Sequence, residues 1–139
     1  EDGMNVVAQE CDTWFVNYDK DHANYEASLK RISSEMALME ERVKSYGRKM
    51  NYGINAVVII GETEEEAQAK AQEHVREASK APVGTSGVGA NLIGTPKTIA
   101  ARMKLYEDMG ISLFMLHFWP MHDGLEEFAQ KVMPQLKLS

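Results

Sequence analysis

Apolar runs and stretches of helical periodicity alternate along the chain, four times over. Residues 12–16 form a β-rich run with Thr13, Trp14, Phe15 and Val16, followed by the polar Asn17, Tyr18, Asp19, Lys20 and Asp21. Tyr25, Leu29, Ile32, Met36, Met39, Val43 and Tyr46 then recur in alternating steps of four and three, the apolar stripe of a helix. Only three heptads carry that stripe and strands flank it, so a helix lying along a sheet is expected rather than a coiled coil. Gly47 ends it, and Arg48 and Lys49 suit the negative end of its dipole.

Residues 52–60 make a second apolar run, with Val57, Val58, Ile59 and Ile60 unbroken. Gly61 and Glu62 turn the chain, and Thr63-Glu64-Glu65-Glu66 is a capping box that opens a helix over about residues 64–79. That helix is rich in alanine and poor in large apolar residues, so loose packing on the outside is expected. Residues 80–89 contain Pro82, Gly84, Gly87 and Gly89 and read as a mobile loop. Residues 91–93 form a short apolar run turned by Gly94, after which Thr95 can cap a helix with Pro96 at its first position. Ile99, Met103 and Tyr106 share one stripe of this helix, which stops at Gly110. Residues 111–118 are nearly all apolar, the mark of a strand buried on both faces. Asp123 stands where it would cap a last helix turning Leu125, Phe128, Ala129 and Val132 inward, with Pro134 marking its end.

Strand then helix, four times without a linker, predicts one α/β domain over residues 1–139 built on a parallel sheet. In such sheets ligands bind beyond the carboxyl ends of the strands. The end of the fourth strand carries His117, Trp119 and His122, so chemistry is sought there. His117 and Trp119 share a face by two-residue alternation. A histidine there can donate or accept a proton in catalysis or serve as a structural group. The indole can stack on a ligand ring or simply pack the mouth of the sheet. His122 stands where a helix begins, a place for turn chemistry or a surface contact.

Composition narrows the function classes. The chain has 139 residues, 44% hydrophobic and 26% charged, as expected of one globular unit. Its formal net charge of −6 argues against nucleic acid or an acidic membrane as partner. Cys11 is the single cysteine, which excludes an internal disulfide and fits a reducing compartment. No apolar run approaches the roughly 18 residues of a membrane span, and no leader opens the chain, so a cytoplasmic address is expected. Beginning at Glu1 without an initiator Met, the sequence reads as a fragment or a processed piece. No His, Cys or carboxylate cluster has metal-ligand spacing, so no metal is expected.

Five phrases in order carry a family resemblance: Glu10-Cys11-Asp12-Thr13-Trp14-Phe15-Val16-Asn17, Tyr52-Gly53-Ile54, Gly61-Glu62-Thr63-Glu64-Glu65-Glu66-Ala67, Leu92-Ile93-Gly94-Thr95-Pro96, and Gly110-Ile111 through Phe118-Trp119-Pro120. Together they resemble the carboxyl half of the bacterial luciferase-like flavin monooxygenases, most of all the alkanesulfonate and dimethylsulfone monooxygenases. The resemblance implies a TIM (β/α)8 barrel, of which this chain would supply the last four βα units, 5 to 8. It also implies reduced FMN, delivered by an NAD(P)H:flavin reductase, with molecular oxygen as co-substrate and a small organosulfur compound as substrate. A half-barrel leaves strand edges and an inner face uncovered, so pairing with itself or with the amino-terminal half is expected. The alternative is a catalytically inactive half-barrel that acts as an oligomeric or flavin-binding module.

Carried over residue by residue, the resemblance makes His117 the candidate catalytic group and Trp119 a contact to substrate or flavin. It places Asn17 and Tyr18 at the end of the first strand, toward substrate and flavin respectively. Asn17 can equally start a turn. Asn55 is the remaining candidate substrate contact. The alkanesulfonate enzymes carry an arginine at the position of Asn55 and a histidine at that of Val57. An arginine fork suits a sulfonate, and Asn55 cannot replace its charge, which favours a neutral substrate such as a sulfone, or lost activity.

Overall fold

A computed structural model describes residues 2–18, 23–80 and 87–137. The elements are α1 (Asp2–Glu10), β1 (Thr13–Phe15), α2 (Tyr25–Ser45), β2 (Asn51–Ile60), α3 (Glu64–Ala78), β3 (Ile93–Gly94), α4 (Pro96–Asp108), β4 (Ile111–Phe118) and α5 (Met121–Glu127). A short 3-10 turn, Gly87–Ala90, precedes β3, and a π turn, Phe128–Val132, continues α5. The four strand–helix units expected from the hydrophobic pattern are all present, and every strand pairing is parallel.

Their spatial order departs from their order in the chain. β2 is the strand to which each of the others hydrogen-bonds: β1 at Asn51–Gly53, β3 at Ile59 and Ile60, and β4 from Tyr52 to Val58. Bonds to β1 and β3 use odd-numbered residues of β2, such as Val16 N to Gly53 O and Ile59 N to Leu92 O. β4 uses the other edge, with Trp119 N donating to Val58 O. β1 and β3 therefore lie end to end along one edge, and β4 lines the opposite edge. A register shift between Tyr52 and Gly53 leaves Ser112 of β4 unpaired, a bulge of the kind that bends a strand.

One face of this sheet is the main core. Tyr52, Ile54, Ala56, Val58 and Ile60 of β2 meet Ile32, Met36, Met39 and Val43 of α2 and Ile99, Met103 and Tyr106 of α4. Of the α2 stripe, Ile32, Met36, Met39 and Val43 are buried as expected, Tyr25 and Leu29 are half-buried, and Tyr46 is exposed at the helix end. Each such fully buried aliphatic side chain contributes about 1.5–3 kcal/mol, so this face holds the fold together. Phe128 and Val132 also reach it, whereas Leu125 and Ala129 are exposed. The last helix starts at Met121 after Pro120, without a side-chain cap, because Asp123 already lies within its first turn.

Three further expectations are corrected. β4 is not buried on both faces: Leu113 and Met115 are each 47% exposed and His117 is exposed, because their face of the sheet has no layer over it among the described residues. α3 does not pack loosely. Ala67 and Ala71 are fully buried against Val57, Ile59, Val88 and Ile93, small side chains permitting close approach. The amino-terminal residues form α1, which seats Ala8 in the core. The Arg48 side chain donates to the Gln9 and Cys11 carbonyls and to Asp12 Oδ1, and so serves the end of α1, while its backbone N–H closes α2 on Val43 O. Of the loop expected over residues 80–89, residues 81–86 lie outside the described residues.

Helix starts follow the sequence signals. Thr63 and Thr95 accept from Glu66 N and Thr98 N as expected caps, and Asn24 caps α2. Glu64 links two of these ends, accepting from Thr95 Oγ1 at 3.2 Å, from Thr98 Oγ1 and from Thr95 N. Gly61 joins β2 to α3 at a close backbone approach, where a Cβ would stand 2.5 Å from Ala67 N and 2.8 Å from Thr63 O. Both obstacles are main chain, so Gly61→Ala should cost about 1–3 kcal/mol, measured by urea denaturation. A loss below a few tenths would contradict this packing.

Candidate functional site

Parity along the strands decides what the uncovered face presents. Paired residues of a parallel sheet point the same way, so Phe15 of β1, Gly53 and Asn55 of β2, and Leu113, Met115 and His117 of β4 share it. Asn17 continues the face beyond β1 and Trp119 beyond β4. Phe15 lies across Gly53, whose Cβ would come within 2.9 Å of the ring. The result is an apolar floor of Phe15, Leu113 and Met115 with an amide and an imidazole above it. Met115 is the register partner of Asn55, and Val57 that of His117, so Asn55 and His117 are diagonal neighbours.

Four of the five candidate residues, Asn17, Asn55, His117 and Trp119, thus come together on one face at the carboxyl end of the strands. Asn55 Oδ1 is buried there without a hydrogen-bond partner among the described residues, an acceptor open to a further donor. Tyr18 differs. Its ring joins the main core, and its hydroxyl donates to the Asn55 carbonyl, where the next rung of the β1–β2 ladder would fall. Burial pushes the phenol up to about 12, so it stays protonated and keeps that bond. His122 lies on the surface of α5, 3.6 Å from Asp123, and takes no part.

The upper end of the face is walled. The Gly87–Ala90 turn runs along the edge of β2 in the gap between β1 and β3. A Cβ on Gly87 would stand 3.0 Å from Val57 N and 3.1 Å from Tyr18 Oη. Val88 packs with Val57 and Ile59, and α3 closes over them. Trp119 leans against this wall, its ring 5.4 Å from that of His74 on α3. Sequence reasoning missed three parts of the site: the floor of Leu113 and Met115, the Gly87–Ala90 wall, and the His74–Trp119 contact. The alternation 113, 115, 117, 119 was the available signal for the floor. The other two depend on tertiary packing.

Residues 1–113 match the sequence family described as luciferase-like monooxygenase. Sulfoquinovose monooxygenase of Agrobacterium fabrum is 23% identical in a match covering 98% of this chain and 44% of that protein. Among solved structures, riboflavin lyase, determined with modified FMN and riboflavin, superposes with a TM-score of 0.64 at 16% identity, over 96% of this chain and 40% of that one. DmoA from Hyphomicrobium sulfonivorans gives 0.63 at 15% identity, over 98% and 39%. The chain spans less than half the length of the curated relatives it matches.

Burial lowers the pKa of His74 below its ordinary 6.5, against the opposing pull of Glu77. At neutral pH the ring is therefore uncharged, folded or unfolded. On acidification the unfolded chain takes up the proton first, so stability should fall as pH drops below about 6.5 and through the lowered folded value. In a Trp14→Phe background, Trp119 fluorescence should change with a midpoint below 6.5, and His74→Gln should abolish the change. A midpoint at or above 6.5 would contradict the burial.

Proposed function

The chain belongs to the luciferase-like monooxygenase family, and we propose that it forms the carboxyl-half wall of a site where reduced FMN and molecular oxygen oxygenate a small, uncharged organosulfur compound such as a sulfone. The observation that carries this reading is the composition of the open face. Apolar floor, indole, imidazole and one unpartnered amide oxygen lie together, with no Lys, Arg, Asp or Glu among the face residues named above. An isoalloxazine ring suits such a surface, because it is planar, largely apolar and edged with N–H donors.

Reduced FMN, when bound, supplies the two electrons by which one oxygen atom enters the substrate and the other leaves as water. The chain's own residues do the remaining work. Trp119 offers a face for ring stacking. Phe15, Leu113 and Met115 keep water from the reacting centre once the face is covered. Asn55 Oδ1 accepts a hydrogen bond from ring or substrate, and Asn17 borders the same space. His117 holds or moves a proton at an imidazole nitrogen. Tyr18 serves the flavin indirectly, by fixing the strand that carries Asn55. Among the described residues this face offers a sulfonate no fixed positive charge, which favours a neutral substrate over an anionic sulfosugar.

Titration of the purified chain with FMN should quench flavin fluorescence, and Trp119→Ala should weaken binding about tenfold, the equivalent of about 1.4 kcal/mol. With a flavin reductase supplying reduced FMN, dimethylsulfone should be turned over and a simple alkanesulfonate should not. Turnover of the sulfonate alone would overturn the substrate class.

The exposure of Leu113 and Met115 favours a second reading, a non-catalytic module that associates through this face. Absence of FMN binding at high micromolar flavin would select it. Under either reading the face needs cover, from a second copy or from an amino-terminal half-barrel. Gel filtration of the chain alone should therefore give a mass above 15.6 kDa, and a well-folded monomer would count against both.

A further inference from the structure

The wall of the site is held from the far side of the fold. Arg102 of α4 donates through one guanidinium nitrogen to Asn91 O at 2.6 Å and to Ile93 O at 3.3 Å. Its charged plane lies 4.2 Å from the centre of the Tyr25 ring. One turn further along α4, the buried Tyr106 donates its hydroxyl to Ala90 O. Asn91, itself buried with φ at 58°, returns its amide to Gly89 O. Four consecutive residues at the end of the turn, from Gly89 to Leu92, are thus fully buried or pinned from behind. At its front end Gly87 meets β2 at contact distance, where even a methyl group would collide with Val57 N.

We propose that Arg102 is a positioning residue, acting with Tyr106, that sets how closely the Gly87–Ala90 turn stands to β2 and so fixes the wall beside Asn55 and Trp119. The two carbonyls Arg102 holds, at Asn91 and Ile93, straddle Leu92, the residue whose own carbonyl accepts from Ile59 N. Both bonds leave from one nitrogen, so the rest of the guanidinium is left to stand over the Tyr25 ring. The shorter lysine side chain ends in a single ammonium centre, which cannot sit at the two carbonyls and over the ring at once. The flavin part of this inference rests on the reading given above. The clamp itself does not.

The test compares Arg102→Lys with Val43→Ala, a cavity at the remote end of α2 that lowers stability without touching the turn. Two readouts are taken: amide hydrogen exchange over residues 87–91, where Asn91 N is bonded to Val88 O, and FMN affinity by fluorescence titration. At matched distance below the thermal midpoint, Arg102→Lys should speed exchange in this segment at least tenfold over Val43→Ala. It should also weaken FMN binding at least fivefold, and Tyr106→Phe should do both to a smaller degree. Equal exchange in the lysine and alanine variants would overturn the clamp. Faster exchange with unchanged FMN affinity would overturn its link to the site. Should the wild-type chain bind no flavin, the flavin reading falls, and the exchange comparison still decides the clamp.

Discussion

Everything in this fold hangs on β2. Among the described residues it is the only strand bonded to the three others, and both its edges are in use, one shared end to end by β1 and β3 and the other taken by β4. Its even-numbered side chains anchor the main core, and its odd-numbered ones pass from the open floor at Gly53 to the walled end at Ile59. A strand so placed has no freedom to slip, because a one-residue shift would turn Ile54, Ala56 and Val58 outward and put Asn55 inside. Position on β2 therefore determines which residue is structural and which is available to a ligand.

Much of this was legible in the sequence. The 3.6-residue stripe of α2, the capping box of α3 and the Thr95-Pro96 start of α4 are local signals, and local hydrogen bonding honours them. The parallel strand–helix alternation was legible for the same reason. Strand order was not, since β3 pairs over two residues only and nothing local tells β4 to pass it and join β2. Apolarity also misled at β4. A run such as Ile111-Ser112-Leu113-Phe114-Met115-Leu116 means burial only if something covers each face, and a covering layer is a property of the assembly.

The site shows the same division. His117 and Trp119 were placed on one face by simple alternation, and Asn17 and Asn55 joined them through family resemblance. Tyr18 directly follows Asn17 yet turns the other way, because side chains alternate along a strand and its hydroxyl found the Asn55 carbonyl. The residues that hold the wall, Arg102 and Tyr106, read from sequence as an ordinary helix position and a core aromatic. Only their contacts with carbonyls many residues away reveal another task.

Glu64 has an effect at a distance from its own helix. Its carboxylate already occupies the amino end of α4, held by both threonine hydroxyls and in reach of the Thr95 amide. The positive pole of that dipole is spoken for by an anion the chain brings itself. A phosphate tail approaching this corner would meet the like charge of Glu64, which makes this helix end a poor anion site for any cofactor lying on the floor.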